Sequence, residues 1–219
     1  MFTGLIESIG RVVAINRAQR DSRLALQAGE LVVTQIALGA SIAVNGVCLT
    51  VTEREGHHFW VDVSAESLAC TTLGTLVVGA AVNLEQAVLP TTRLGGHLVS
   101  GHVDGVGTVA AINNDGRSVR MAITVPDALA KYIAVKGSVC VDGVSLTVNG
   151  VSATAFEVNI IPHTMSKTIL QHYQVNSRVN IEVDVVARYL ERLLTVDPTL
   201  IKRTETLTTT FLAEHGFIK

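Results

Sequence analysis

The side chains best suited to chemistry stand where two copies of a sequence repeat differ. Residues 41–51 (SIAVNGVCLTV) recur, 97 positions later, as residues 138–148 (SVCVDGVSLTV). At this offset the changes fall on reactive residue types: Cys48 becomes Ser145, Leu5 becomes His102, Asp62 becomes Asn159, Ala65 becomes Pro162 and Glu66 becomes His163. A site that holds one molecule as donor and its twin as acceptor needs a different acid, base or nucleophile on each side. The pattern predicts two similar binding sites with unlike reactive groups.

Each of these residues also has a purely structural interpretation. Cys48 can be a small buried hydrophobe, His102 can bridge backbone groups between the repeats, and His163 can cap a helix. The sequence contains no histidines or carboxylates at metal-ligand spacing, no glycine-rich phosphate loop and no Gly-x-Ser-x-Gly elbow. It therefore indicates neither a metal site nor a phosphate-binding motif.

The elements that position these residues are predicted to be two β-hairpins. Asn45-Gly46 and Asp142-Gly143 favour type I′ turns, and apolar residues alternate on both sides of each. A two-residue loop makes four pairs in the first copy: Val44 with Val47, Ile42 with Leu49, Ala43 with Cys48 and Ser41 with Thr50. One face is then apolar and the other carries small, weakly polar groups. That second face either lines a pocket or packs beneath a neighbouring strand.

The repeat extends over most of the chain, since residues 1–88 align with residues 98–185 without a gap. A period this long indicates two copies of one domain. We therefore expect domains at 1–96 and 97–185, followed by a helical oligomerisation segment at 186–219. Short alternating runs between turn signals predict an all-β barrel or sandwich in each half. Short helices are predicted at residues 64–73 and 164–172, the latter capped by Thr164 after Pro162.

Beyond the repeat, apolar residues recur at helical spacing over residues 186–194. This helix has no counterpart in the first half, so its apolar stripe either meets another subunit or packs on its own chain. Residues 208–215 are predicted to form one more short helix.

Composition narrows the function classes. The chain has 219 residues, 48% hydrophobic and 16% charged side chains and a net charge of −2, without a basic block. This balance is typical of a soluble globular protein and argues against a nucleic-acid partner. No signal peptide or membrane span is apparent, so a cytoplasmic location is expected. Three cysteines without Cys-x-x-Cys spacing predict free thiols.

Three stretches carry a resemblance to a known family. Residues 1–7 (MFTGLIE), 95–105 (GGHLVSGHVDG) and 211–217 (FLAEHGF), together with the paired hairpins, resemble riboflavin synthase, a tandem of two lumazine-binding repeats. The resemblance implies two six-stranded antiparallel Greek-key barrels in tandem plus a C-terminal α-helix, and a homotrimer with active sites between neighbouring subunits. It implies dismutation of two 6,7-dimethyl-8-ribityllumazine molecules to riboflavin and 5-amino-6-ribitylaminouracil, with no cofactor or metal. Lumazine synthase is a candidate partner.

The resemblance also implies the site residues. The N-terminal pocket is expected to use Gly4, Leu5, Ile6, Cys48, Leu49, Thr50, Asp62, Val63, Ser64, Ala65, Glu66 and Ser67. The C-terminal pocket is expected to use Gly101, His102, Val103, Ser145, Leu146, Thr147, Asn159, Ile160, Ile161, Pro162, His163 and Thr164, with Lys136 reaching a neighbouring subunit's ligand. Cys48, His102 and Ser41 are the expected catalytic residues. The alternative is a non-catalytic lumazine- or flavin-binding protein of the same fold.

Overall fold

The strands of this computed structural model, which describes residues 1–18, 21–195, 212–213 and 215–216, form two barrels. The first contains β1 Ser8–Ala18, β2 Asp21–Gln27, β3 Ser41–Val44, β4 Val47–Glu55, β5 His58–Val63 and β6 Ala81–Gln86. The second contains β7 Gly105–Asp115, β8 Ser118–Thr124, β9 Ser138–Val141, β10 Val144–Val151, β11 Ala155–Ile160 and β12 Arg178–Val183. The α-helices are α1 Ala65–Cys70, α2 Asp127–Ala130, α3 Pro162–Lys167 and α4 Val185–Thr195.

Both barrels close with the same strand order. In the first the order around the barrel is β1-β2-β5-β4-β3-β6, and in the second it is β7-β8-β11-β10-β9-β12. All pairings are antiparallel. Strands β3, β4 and β5 are consecutive neighbours and β2 lies beside β5, which is the Greek-key arrangement. The predicted all-β fold class is confirmed. Of the two architectures that the strand pattern allows, barrel and sandwich, the structure has the barrel.

The hairpins adopt the predicted register. Ser41 pairs with Thr50, Ile42 with Leu49, Ala43 with Cys48 and Val44 with Val47, and the second copy repeats this pattern. Asn45 and Asp142 have φ values of 46° and 43°, and the glycine after each is also at positive φ. Type I′ turns require this conformation at both central positions, so the turn prediction is confirmed as well.

Each barrel has its own apolar core. Leu24, Ile42 and Phe59 lie in the first, and Met121, Val139 and Phe156 lie in the second. These side chains are at most 1% exposed. A smaller apolar cluster of Phe2, Ala43, Val99 and Cys140 connects the outer faces of β3 and β9. Burial of apolar surface thus stabilises both barrels and their junction.

The chain before β1 leaves its own barrel and packs on the other. Phe2 bridges to Val99 through reciprocal backbone hydrogen bonds of 2.7 and 3.1 Å. Ser145 N then donates to Gly4 O at 2.8 Å, and Ile6 packs against the second core. Residues 2–6, the first crossing segment, therefore pack against the second barrel.

The chain before β7 does the same in the opposite direction. Cys48 N donates to Gly101 O at 2.9 Å, and Val103 packs against the first core. Residues 99–103, the second crossing segment, are the repeat equivalents of residues 2–6. The two barrels thus exchange equivalent segments about an approximate two-fold axis.

The tips of the two hairpins meet at this axis. A Cβ atom on Gly46 would lie 2.7 Å from Gly143 N, and one on Gly143 would lie 2.9 Å from Gly46 N. Asn83 Nδ2 donates to Asp142 O, and Asn180 Nδ2 donates to Asn45 O, both at 2.8 Å. The close backbone contact therefore requires glycine at residues 46 and 143, and the reciprocal amide bonds join the two turns.

The short helices appear near the predicted positions but begin differently. Helix α1 is capped by Ser64, whose hydroxyl accepts from Ser67 N at 3.2 Å. Helix α3 has Ile161 at the N-cap and Pro162 in its first turn. The predicted Thr164 cap is wrong because proline is already compatible with the first helical position, two residues earlier. Each helix is followed by a short 3-10 turn, Thr72–Thr75 or Ile169–His172.

The chain divides after Val185 into two units, of which the second starts at Val186. In this unit the helix predicted at residues 186–194 is confirmed as α4. Its large apolar side chains Val186, Tyr189, Leu190, Leu193 and Leu194 are 54–77% exposed. The helix predicted at residues 208–215 falls almost entirely outside the described residues. Within the described part of the chain, no helix has the length and apolarity to span a membrane.

Candidate active site

The outer faces of the two hairpins carry the small polar groups that the sequence places there. In the first barrel Ser41 and Cys48 are half-buried and Thr50 is exposed, while Ala43 is buried beneath the crossing segments. In the second barrel Ser145 takes the place of Cys48, and Cys140 is 1% exposed. Burial raises the pKa of the Cys140 thiol well above its usual value. Of these two thiols, only Cys48 is accessible for chemistry.

The second crossing segment delivers His102 to the first hairpin. Gly101 has a φ of +81°, and a Cβ there would lie 2.6 Å from Cys48 Cβ. Only glycine permits this approach. His102 follows directly and is exposed. We call the outer face of β3 and β4 together with residues 99–103 the first site; it combines a half-buried thiol with an imidazole contributed by the other repeat.

The second site is the outer face of β9 and β10 together with residues 2–6. A cavity of about 220 Å³ lies here, lined by Gly4, Leu5, Ile6, Val144, Ser145, His163, Thr164, Lys167 and Thr168. Leu5 occupies the place that His102 takes in the first site. The two sites therefore share one architecture and differ in their reactive groups, as the repeat comparison predicts.

The expected grouping of the crossing segments is wrong. The sequence places Gly4, Leu5 and Ile6 with Cys48, and Gly101, His102 and Val103 with Ser145. The structure reverses both assignments because each barrel lends its leading segment to the other. His102 and Cys48 are therefore brought into the same site.

The stretches after β5 and β11 lie beside these hairpin faces. Val51 pairs with Val61, so Thr50 and Asp62 are neighbours on the outer face of the first barrel. Residues 62–67 continue into α1, which begins at the exposed Ser64 cap. Pairing of Val148 with Val158 places Thr147 and Asn159 in the same way. These stretches border both sites.

Some predicted contact residues have their side chains in the barrel cores. Leu49, Val63, Leu146 and Ile160 are at most 9% exposed. Their side chains point inward, so a ligand at either site could reach only their backbone. Lys136 is exposed and has a φ of 67° where its repeat equivalent is Gly39. A non-glycine residue held in this conformation is uncommon and often marks a functional position.

His97 has no equivalent in the first repeat. Its Nδ1 lies 2.7 Å from Ser145 Oγ, and the ring is 8% exposed. Burial lowers the pKa of His97, and the negative charge of Asp184 opposes that shift. The ring is therefore neutral at neutral pH and hydrogen-bonds the hydroxyl that faces the second site.

Two buried carboxylates hold the crossing segments. Glu85 on β6 accepts hydrogen bonds from Thr3 N, Thr3 Oγ1 and Gly4 N at 2.7, 2.7 and 3.0 Å. Glu182 on β12 makes the equivalent bonds to Ser100 and Gly101. Burial raises the pKa of both carboxyls, while these hydrogen bonds oppose that shift.

Sequence reasoning did not select His97 or the two glutamates as site residues. The glutamates align with each other in the repeat, and a charged residue within an otherwise apolar strand is a usable signal, because buried charges need partners. His97 lacks such a signal, since its repeat equivalent would precede Met1. Among the described residues, no group of three His, Cys, Asp or Glu side chains is placed to hold a metal ion.

The two repeats match a known domain family. The lumazine binding domain family matches the chain twice, at residues 3–87 and 100–184. Riboflavin synthase from Photobacterium phosphoreum is 45% identical over 218 residues, covering 100% of both chains. Riboflavin synthase from Bacillus subtilis (strain 168) is 40% identical over 217 residues, covering 99% of this chain and 100% of its own.

A solved structure shares the complete double-barrel fold. LumP complexed with riboflavin superposes with a TM-score of 0.78 at 26% identity, covering 84% of this chain and 99% of LumP. LumP complexed with 6,7-dimethyl-8-(1'-D-ribityl)lumazine gives a TM-score of 0.76. Full-length identity and the paired domain matches lead to one conclusion: the chain belongs to the riboflavin synthase family, whose two lumazine-binding domains lie in tandem.

Proposed function

We propose that this protein catalyses the riboflavin synthase reaction. One molecule of 6,7-dimethyl-8-ribityllumazine transfers a four-carbon unit to a second, giving riboflavin and 5-amino-6-ribitylaminouracil. The observation that carries the proposal is a pair of equivalent sites with unlike reactive groups, in a chain whose full-length relatives are named riboflavin synthase. Two molecules of one substrate need two similar sites. Because one molecule donates the four-carbon unit and the other accepts it, the two sites need different reactive groups.

The first site supplies the proposed proton-transfer and addition chemistry. His102 moves protons to or from the lumazine methyl carbon or ring nitrogens. Cys48 or Ser41 serves the addition or activation of water at the acceptor ring. General acid-base catalysis by such a side chain contributes about 10²- to 10⁴-fold. Holding two substrates in a fixed relative geometry contributes more, about 7–11 kcal/mol in the best intramolecular cases.

The residues bordering both sites bind the substrates. The stretches 62–67 and 159–164 and the hairpin residues Thr50 and Thr147 present backbone groups and short polar side chains along the pocket edges. The second site adds Ser145, oriented by His97. In this proposal Lys136, held in its left-handed conformation, reaches a ligand bound to a neighbouring subunit, and the protein works in the cytoplasm.

A direct assay tests the activity. Purified protein is mixed with 6,7-dimethyl-8-ribityllumazine, and the absorbance of riboflavin is followed while the uracil product is quantified by chromatography. The proposed reaction consumes two lumazines for each riboflavin formed. Absence of riboflavin, with the lumazine bound and unchanged, would reject the activity.

The second candidate is a non-catalytic lumazine- or flavin-binding protein. The structural likeness to LumP, which is solved with riboflavin and with the lumazine, favours this class. A binder needs only one competent site, whereas both hairpins here retain their small polar triplets: Ser41, Cys48 and Thr50, and Ser138, Ser145 and Thr147. The enzyme is therefore the better proposal, and bound but unconverted lumazine in the assay would favour the binder.

We further propose a homotrimer assembled through α4. Leu190 and Leu193 lie on the exposed apolar face of this helix, which has no equivalent in the first repeat. Replacing both by Asp is expected to reduce the trimer to monomers, because charges would be buried in an apolar seam. Light scattering measures the mass, and Arg192→Asp, at an exposed position away from that face, is the control. An unchanged mass in the double variant would mean that the helix does not hold the oligomer.

A further inference from the structure

We propose that Glu182 is a positioning residue that holds His102 in the first site, and that Glu85 holds Leu5 in the second site by the same device. The inference rests on the proposed function, since it assigns a role in that reaction. It adds two residues that touch neither site directly and act through the crossing segments.

The Glu182 carboxylate binds the second crossing segment at three points. Oε1 accepts from Ser100 N and Ser100 Oγ, both at 2.6 Å, and Oε2 accepts from Gly101 N at 3.0 Å. Glu182 is 4% exposed and lies on β12. A buried, hydrogen-bonded carboxylate on a barrel strand is a rigid anchor for the segment.

Glu182 is connected to the backbone of His102 through the Ser100 hydroxyl. Ser100 Oγ, which donates to Glu182, accepts a hydrogen bond from His102 N at 3.2 Å. On the other side Gly101 O accepts from Cys48 N. The backbone that carries His102 is therefore fixed both to the second barrel and to the first hairpin, and these bonds define where the imidazole can lie relative to Cys48.

The first repeat contains the same device without the histidine. Glu85 binds Thr3 and Gly4 at matching distances, and Thr3 Oγ1 accepts from Leu5 N at 3.2 Å. Glu85 is 3% exposed. The two glutamates therefore make the same contacts. Only Glu182 holds a segment whose side chain, His102, can transfer a proton, because Leu5 cannot. The protein thus supplies its own matched control.

A carboxylate is required because it only accepts hydrogen bonds. Its two oxygens can receive all three donors, whereas glutamine presents an amide NH₂ on one side. In a Glu→Gln variant this NH₂ would face either the glycine N–H, or the N–H and O–H of the residue before that glycine. The variant should therefore loosen the crossing segment without changing the size of the side chain.

The test compares Glu182→Gln with Glu85→Gln by steady-state kinetics and thermal unfolding. Both variants should lose similar thermal stability, because their contacts match. Glu182→Gln is expected to lower kcat by about 10- to 100-fold, the scale of a small misplacement of a catalytic group. Glu85→Gln should mainly raise KM and change kcat by less than about threefold. Equal kcat losses in the two variants would overturn the proposal and leave both glutamates as structural supports.

Three further measurements keep the proposal testable. If the glutamine variants do not fold, Ser100→Ala removes the hydroxyl that joins Glu182 to His102 N. Thr3→Ala removes the equivalent hydroxyl between Glu85 and Leu5 N, and only Ser100→Ala should lower kcat. His102→Gln combined with Glu182→Gln should be little slower than His102→Gln alone. In histidine-labelled protein with bound riboflavin, the His102 ring resonance should shift in Glu182→Gln and stay unchanged in Glu85→Gln.

These measurements separate the two proposals. Normal turnover in His102→Gln would overturn the proton-transfer role of His102, and the ring resonance would then judge its positioning by Glu182 independently. An unshifted His102 resonance in Glu182→Gln would overturn the positioning role even if riboflavin synthesis is confirmed.

Discussion

His102→Gln is expected to lower kcat by about two to four orders of magnitude while riboflavin affinity stays within about threefold. Glutamine keeps some hydrogen bonding but cannot exchange a proton near neutral pH. His102 follows Gly101, whose carbonyl accepts a hydrogen bond from Cys48 N. Because glutamine can still hydrogen-bond a ligand there, the loss should fall on the chemical step rather than on binding. Single-turnover formation of riboflavin and titration of ligand fluorescence measure the two quantities separately.

Two variants make this result specific. His57→Gln changes an exposed loop histidine in the β4–β5 turn and should leave kcat unaltered. Cys48→Ser keeps a small polar group at the first site, so a mild effect would assign the thiol to the pocket wall and a severe one to attack on the ring. A kcat for His102→Gln within about threefold of the parent, at equal affinity, would leave His102 as a structural residue of the crossing segment.

Asp142→Asn is expected to stabilise the protein at pH 8 by as much as about 4 kcal/mol, with the gain vanishing near pH 4. Burial raises the pKa of Asp142 from 3.8 to about 7, although hydrogen bonds from Tyr173 OH and Asn180 N oppose the shift. The folded protein keeps this proton up to about pH 7, while the unfolded chain releases it near pH 3.8. Folding stability therefore falls as the pH rises through this window.

The first repeat shows that an amide fits this position. Asn45 occupies the equivalent turn, and its Oδ1 accepts from Asn83 N at 2.8 Å, as Asp142 Oδ1 accepts from Asn180 N at 2.7 Å. In Asp142→Asn the new NH₂ can donate to the Tyr173 hydroxyl. Denaturant unfolding of parent and variant from pH 4 to pH 8 measures the difference.

The converse substitution is the control for this prediction. Asn45→Asp introduces a carboxylate where the repeat equivalent of Tyr173 is Leu76, and it should destabilise the protein increasingly as the pH rises. A constant stability difference between Asp142→Asn and the parent over the whole pH range would contradict the burial of an ionisable proton at Asp142.

The sequence predicts the hairpins well because their determinants are local. Asn45-Gly46 and Asp142-Gly143 specify the turn, and alternation of apolar residues specifies which face is buried. The repeat then implies two similar barrels. Helix α4 is predictable for the same reason, since its periodicity is contained within a single stretch of sequence.

Features that depend on the relation between the repeats are less predictable. The alignment equates Gly4 with Gly101 but contains no information about which barrel each contacts. The predicted assignment of the two crossing segments to the hairpins is therefore the reverse of the observed one. The Ser145–His97 bond joins residues 48 positions apart, and one partner lies outside the repeat. The predicted cap at Thr164 is wrong for a local reason, because the helix begins earlier, with Ile161 at the N-cap and Pro162 in its first turn. The catalytic roles of Cys48, Ser41 and His102 stay predictions.

The exchange of crossing segments has a consequence for how such a chain could have arisen. A half-chain of residues 1–96 lacks the peptide that covers its own hairpin, and the equivalent peptide it does contain extends away from its barrel. Two copies of that half could cover each other symmetrically, with Leu5 over Cys48 at both places. The duplicated chain is in this sense the covalent counterpart of such a homodimer, and its two equivalent positions can differ, as Leu5 and His102 do. A catalyst that must treat two identical molecules differently requires such a difference, which a symmetric homodimer lacks.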